Sequence, residues 1–354
     1  MTGDCLKLTV YFGESDRVGR HLLSDALIDV FARRSLHASL LLRAAEGFGI
    51  KQTLRTDRFL SLSEDLPLVA AAIDRPAAIE AILPEVTGLI DGGLVTLERA
   101  RLVGGADDVG NGGTATKLTI QLGRDERVRG RPAFVAVVDH LRAHGFTGAT
   151  VLLGVDGTEH GLRRRARFVA RNEAVPAAVV AVGPGEAAAR AIAGLEELAR
   201  DPIVLLEQAG VCKRDGELLS TPPSVASTDA AGLDLWQKLT VYGSEQARHD
   251  GRPQHLALVS RLRTGGAAGA TAVRGVWGYS GDHAPHGDRL LRVRRNVPVV
   301  TTVIDRPEEA RRWFEIVDEC TSASGLVTSE IVPAFHAVAP GARVGGLRLA
   351  DPRT

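Results

Sequence analysis

The residues of this chain best suited to chemistry are cations at recurring places. Counting back nine positions from Pro67, Pro176 and Pro298 gives Arg58, Arg167 and Arg289. A guanidinium fork grips two oxygens at once, so an arginine at this place three times over suits a phosphate or carboxylate ligand. An arginine crossing an internal interface to a carboxylate explains the spacing equally well. Arg20, Arg131 and Arg252 each follow a glycine and stand just before a run with helical spacing. Helix N-termini attract anions, and a nearby arginine would reinforce that; the alternative is a surface arginine beside the cap. Gly47, Phe48 and Gly49, and Gly278 with Tyr279, lie at the mouth of the same polar stretches as the first arginine set. Glycine permits close backbone approach to a ligand. The aromatic ring could stack on a base or cap a core.

Lysine is used sparingly. Of 43 basic residues only five are lysine, and three of these open one phrase: "KLTVYFG" at Lys7, "KLTIQLG" at Lys117 and "KLTVYG" at Lys238. A buried lysine needs a partner. Glu98, Glu207 and Glu330 close a later phrase in each copy ("GLVTLE", "PIVLLE", "GLVTSE"). Lys–Glu pairing between these sets is one expectation, and ligand contact in a cleft is the other.

Other chemistries find little support. His283 and His286, with Asp282 and Asp288, form "GDHAPHGD", but two histidines in a Gly/Pro loop are a weak metal signal, and no metal is expected. No nucleophile–base set repeats among the copies, no carboxylate pair is placed for acid–base work, and there is no GxxxxGK[ST] loop, so the sequence leans away from an enzyme. The run Arg163, Arg164, Arg165 has no interleaved aromatics and reads as a solvated face rather than a nucleic-acid patch. Charges balance at 43 against 43, so no overall field favours nucleic acid or anionic membrane. Cys5, Cys212 and Cys320 are odd in number and far apart, without a CxxC; a cytosolic protein with free thiols is the simplest reading. No signal peptide is expected, and no stretch approaches the ~18 apolar residues of a membrane helix.

The elements that must position these residues repeat. "VGRHLL", "RGRPAF" and "DGRPQH" follow the lysine phrases at Gly19, Gly130 and Gly251, then "LPLVAAAID", "VPAAVVAVG" and "VPVVTTVID", then the glutamate phrases. Landmarks kept in order through three copies mean one domain written three times. The expected layout is repeat 1 at 1–103, a linker at 104–115, a degenerate repeat 2 at 116–216, a linker at 217–235, repeat 3 at 236–340 and a poorly ordered tail at 341–354. The linkers, rich in Gly, Asp, Ser, Thr and Pro, read as flexible or extended.

Within a copy, Leu6, Leu8, Val10 and Phe12 alternate with polar neighbours, a strand pattern. A helix follows, carrying Leu23, Leu27, Val30 and Phe31 or Phe134, Val137, Val138 and Leu141 at helical spacing, with Pro132 and Pro253 suiting a first turn. A second strand, a long polar excursion, a third strand, a helix near Pro76, Glu186 or Pro307, and a fourth strand complete the unit. Pro84 should kink or shorten its helix. The order βαββαβ is the ferredoxin-like arrangement, whose helices cover one face of the sheet. The predicted fold class is therefore α+β: three ferredoxin-like repeats whose open faces pack together as an intramolecular trimer.

The first copy's "EGFG", "DRFLSLSEDLPLVAAAID" and "GGLVTLERARLV", with the KLT strand and the Gly-Arg helix start, resemble the DUF190 family of the PII-like superfamily. The third copy matches through "RGVWGYSG" and "NVPVVTTVID"; the second departs, with Gly157-Thr158 in place of Gly47-Phe48. The resemblance implies a PII-like pseudotrimer that binds a nucleotide, such as an adenine nucleotide, or another small anionic effector in clefts between repeats. Some members are encoded near predicted fluoride channels, which implies the alternative of a scaffold regulating a membrane channel or transporter without a small ligand. A monomeric, non-enzymatic signalling protein with unequal clefts is the expectation, with no nucleic-acid partner.

Overall fold

The computed structural model describes residues 1–49, 55–56, 65–109, 115–166, 175–281, 283–287, 296–339 and 341–352. These hold six α-helices and mainly antiparallel strands in three similar units. Unit 1 runs β1 (Gly3–Gly13), α1 (Leu23–Arg33), β2 (Ala38–Arg43), β3 (Glu46–Phe48), β4 (Pro67–Asp74), α2 (Pro76–Leu89) and β5 (Gly93–Val103). Unit 2 runs β6 (Thr116–Gly123), α3 (Ala133–Ala143), β7 (Gly148–Leu153), β8 (Asp156–Glu159), β9 (Leu162–Arg163), β10 (Pro176–Gly183), α4 (Gly185–Ala193), β11 (Ile203–Gln208) and β12 (Gly210–Arg214). Unit 3 runs β13 (Trp236–Ser244), α5 (Gln254–Gly265), β14 (Ala270–Arg274), β15 (Trp277–Ser280), β16 (Pro298–Asp305), α6 (Pro307–Cys320), β17 (Leu326–Val332), β18 (Ala334–Ala339) and β19 (Ala342–Gly346).

Each unit makes the same four-stranded antiparallel ladder. Its order is β2-β4-β1-β5 in unit 1, β7-β10-β6-β11 in unit 2 and β14-β16-β13-β17 in unit 3. The period of two in the lysine strand divides its side chains between two environments. Leu6, Leu8, Val10 and Phe12 face α1 and α2 in a core with Leu27, Phe31, Ile79 and Ile82. Units 2 and 3 have equivalent cores against α3–α4 and α5–α6.

The second face of each sheet meets the other units. Cys5, Ala38, Ile73 and Leu102 pack on Ile203 and Leu205 between units 1 and 2. Val182 packs on Tyr242 and Leu326 between units 2 and 3. Trp236 and Phe335 pack on Tyr11 and Leu94 between units 3 and 1. Leu40, Leu42 and Val69 of unit 1 meet Leu152 and Ala178 of unit 2 and Val273 of unit 3 at the common junction.

Two strand exchanges close the circle. The last strand of each unit runs on beside the fourth strand of the next: β5 pairs with β11, β12 with β17, and β18 with β5. The short strand opening each excursion adds to the edge of a unit in the other direction: β8 pairs with β2, β15 with β7, and β3 with β14.

Several expectations need correction. Pro132 and Pro253 stand before the first helical residue, not in the first turn, with extended ψ of 131° and 129°. Pro84 sits inside α2 without shortening it; α2 and α6 both run 14 residues. The tail is packed. β19 pairs with β18, Ala350 is buried, and its carbonyl accepts from Arg99 Nη1 at 2.7 Å. Single linker residues are anchored: Val109 is buried in the core of unit 2, and the Asp229 carboxylate accepts from the amides of Ala231, Leu233 and Asp351. The partners of such short polar connections lie far off in sequence, beyond the reach of local pattern.

Candidate functional site

The three lysines and three glutamates meet. Antiparallel register sets Lys7 opposite Glu98, Lys117 opposite Glu207 and Lys238 opposite Glu330, each pair on the inward face of its own sheet. The Nζ–Oε separations within a unit are 3.3, 3.1 and 2.9 Å. Each lysine also bonds the glutamate of another unit: Lys7 to Glu207, Lys117 to Glu330 and Lys238 to Glu98. Six alternating charges thus form a closed ring through all three units.

The ring is almost dry, with glutamate side chains 3–5% exposed. Burial by itself would raise the carboxyls, but the ammoniums overcome it. Lys238 and Lys7 hold Glu98 far below the ordinary range, and Lys117 and Lys7 lower Glu207 to about 2. Burial likewise opposes charge on the lysines, yet Glu207 and Glu330 raise Lys117, and Glu330 and Glu98 raise Lys238. One oxygen of each carboxylate lies within 4.8 Å of those of the other two, a donor set of the hard-cation kind. Each carboxylate already faces two ammoniums, so the ring is neutral without an added ion. Thr96 and Thr119 donate further hydrogen bonds to Glu98 and Glu207 at 3.5 and 3.3 Å.

The excursion residues are used at the inter-unit junctions. Gly47, Gly157 and Gly278 occupy matching places in β3, β8 and β15. A Cβ would come within 2.8 Å of the Ala270 carbonyl oxygen at Gly47, and within 2.2 Å of those of Ser39 and Ala149 at Gly157 and Gly278. Here glycine lets a foreign strand approach its neighbour's backbone. The next residue caps that neighbour's core. Phe48 is buried in the core of unit 3. Tyr279 is buried in the core of unit 2, where its hydroxyl donates to the Phe146 carbonyl at 2.9 Å. Thr158 stands at the same place with a short polar side chain, its hydroxyl 2.9 Å from Ser39 Oγ and 3.3 Å from Leu36 O of unit 1. Gly49 is exposed with open space around it.

Arg58, Arg167 and Arg289, with Asp282 and Asp288, lie outside the described residues. Arg20, Arg131 and Arg252 are exposed on tight hairpins ahead of α1, α3 and α5. The pairings Val18↔His21, Val128↔Arg131 and His249↔Arg252 show that alignment by glycine is one residue out in unit 1. Arg20 stands in the turn, and His21 takes the place held by Arg131 and Arg252. The first helical amides are already bonded, from Leu23, Ala133 and Gln254 to the carbonyls of Asp16, Glu126 and Ala247. Arg131 pairs with Asp139 at 2.7 Å.

Among the described residues, the arginine with the most carboxylate partners is one whose sequence context points to a solvated face. Arg163 on β9 grips both oxygens of Asp156, at 3.2 and 2.5 Å, and reaches Asp25 and Asp29 on α1 of unit 1. The Asp156 hydrogen bond raises its pKa further. Asp25 and Asp29 at i and i+4 on one helix were the available signal. Arg55 similarly pairs with Asp65 at 2.9 Å and Asp16 at 3.5 Å.

No helix among the described residues is long and apolar enough to cross a membrane. The model of the DUF190 family, described as an uncharacterized ACR, matches residues 5–102, 115–211 and 236–334. A UPF0166 protein of Aquifex aeolicus (strain VF5) is 30% identical over 98 residues, which is 28% of this chain and 91% of that relative.

Proposed function

The chain belongs to the DUF190 family, carrying the family's domain three times, and from that premise we propose that it is a non-enzymatic, PII-like regulatory protein. Each unit reads as ferredoxin-like, and the three together as an intramolecular trimer that acts as a monomer in the cytoplasm. A nucleotide, or another small anion, binds in clefts between units, with an adenine nucleotide the first candidate.

The observation that supports this reading most is the cyclic exchange of excursion strands. β3, β8 and β15 each leave their own unit for a neighbour, so every polar excursion starts at an inter-unit junction. Fixed, water-excluding walls with a polar loop at the mouth are what small-ligand clefts are made of. The junctions carry different residues, so fewer than three equivalent ligands bind per chain. Titration calorimetry with ATP, ADP, AMP and cyclic nucleotides tests both points. Heat from at least one, with a stoichiometry below three, supports the reading; silence from all removes the nucleotide version, and three identical sites remove the inequality.

A second reading is a scaffold that regulates a membrane channel or transporter without a small ligand. It is favoured by the burial of Phe48 and Tyr279, which leaves neither ring free for a base. Recovery of such a partner with the full chain in nucleotide-free buffer supports it.

A further inference from the structure

The three excursion hairpins are fastened by different physics. Phe48 and Tyr279 fasten β3 and β15 by inserting aromatic rings into the neighbouring cores. β8 has Thr158 at that place, and the apolar group its hairpin lays on the unit 1 core is Val155, smaller than either ring and only partly buried. Beside that contact, its hold on unit 1 comes from the Thr158–Ser39 and Thr158–Leu36 hydrogen bonds, the short ladder to β2, and ion pairs. Arg163 joins Asp156 of its own hairpin to Asp25 and Asp29 of α1, and Arg165 adds Asp25 at 3.0 Å and Asp156 at 3.6 Å.

The carboxylates that Arg163 and Arg165 engage do not recur at the matching places of the other two junctions. By the repeat offsets, the places of Asp25 and Asp29 are taken by Val135 and Asp139 on α3 and by Leu256 and Ser260 on α5. The place of Asp156 is taken by Glu46 and Trp277. Among the described residues, Asp139 is engaged by Arg131 of its own unit, not by an excursion hairpin of another unit.

We infer that the Asp156–Arg165 hairpin is an electrostatic latch on helix α1, one that ionic strength opens while the two aromatic-anchored hairpins stay shut. The apolar anchors gain from added salt, whereas ion pairs at partly exposed sites are screened by it. Arg163 is 23% exposed at its side chain and Asp29 58%, so the latch lies within reach of solvent ions. Opening frees Arg163 and Arg165 and uncovers Asp25 and Asp29, changing the charge of one junction of the three. The inference stands apart from the effector reading, since no ligand takes part.

Hydrogen exchange on the full chain, followed by mass spectrometry across a series of sodium chloride concentrations, tests it. Amides of 155–164, including Val155 N–H to Leu41 O and Arg164 N–H to Gly157 O, are expected to exchange on the order of tenfold faster at ~1 M than at ~0.05 M salt. Those of 46–48 and 277–280 are expected to hold steady. Arg163→Met should exchange fast at 155–164 at every salt concentration. Asp29→Asn, on the exposed face of α1, provides a milder variant that leaves Asp156 intact and should shift the same peptide partway. A salt-independent rate at 155–164 in the unaltered chain, or an equal response of all three hairpins, overturns the latch.

Discussion

Lys238 bonds to Glu98, a residue 140 positions earlier, while the antiparallel register sets it opposite Glu330 of its own unit. That double engagement ties unit 3 back to unit 1 and makes the charge pattern a closed loop. The partner of each conspicuous lysine is a glutamate on its own fourth strand and a second one on another unit.

Removing one charge from this loop should be expensive. Lys238→Met leaves Glu98 and Glu330 each short of a partner in a site with little water. A loss of about 3–5 kcal/mol is expected, the usual result of breaking a buried pair from one side. Denaturant titration measures it. Adding Glu98→Gln should recover part of the loss; a single variant as stable as the parent chain would contradict the ring's structural role.

The ring also sets a pH window. The carboxyls of Glu98 and Glu207 are lowered from an ordinary 4.5, Glu207 to about 2. Their stabilisation is therefore complete above about pH 4.5 and drains away as pH falls toward the folded values. Lys117 and Lys238 are raised from 10.5, so their stabilisation is complete below that value and lost as pH rises through the folded ones. Urea midpoints should be flat near neutrality and fall by about pH 3. Glu207→Gln should flatten the acid limb relative to its own neutral midpoint.

Glycine at the excursion mouths is a matter of space. Gly278→Ala sets a methyl against the Ala149 carbonyl oxygen and should cost roughly 1–3 kcal/mol as β15 is pushed from β7. Gly49→Ala meets open space and should stay within about 0.5 kcal/mol of the parent. Thermal melting of the two variants separates a packing role from a shared ligand role, for which both would change ligand affinity while melting normally.

β18 closes the circle mechanically. The ring of Phe335 stacks on Trp236 with centroids 3.9 Å apart, on the strand that pairs with β5. Phe335→Ala should cost about 3–5 kcal/mol. Deleting residues 334–354 leaves the β5 edge bare, and bare edges recruit other chains. Light scattering should then show association beyond that of the full chain.

Much of the unit was legible from short-range pattern. Leu6, Leu8, Val10 and Phe12 announced both the strand and its buried face, and Pro76 and Pro307 marked helix starts. The recurrence of Lys and Glu narrowed their roles, because two strands that neighbour each other in the predicted order bring those residues close. What stayed hidden depends on which unit a strand joins. Nothing in "EGF" or "WGYS" says that the aromatic fills another unit's core, since the local pattern of a strand is the same whichever sheet accepts it. The place of Arg20 is hidden for a related reason. Glycine occurs at either position of a two-residue turn, and only the pairing of Val18 with His21 fixes which. Arg163 looked solvated because its partners, Asp25 and Asp29, stand more than 130 residues earlier.

Joining three units in one polypeptide changes what a single substitution can do. In an assembly of identical chains, any replacement is made everywhere at once, and every contact must tolerate it. Here Asp156 could become the centre of an ionic cluster while Trp277 and Glu46 took its place elsewhere, and Thr158 could stand where Phe48 and Tyr279 serve the other junctions. The shared ring asks only one lysine and one glutamate of each copy. Beyond that, the copies are free to specialise, so one molecule can present three differently built junctions in a fixed order.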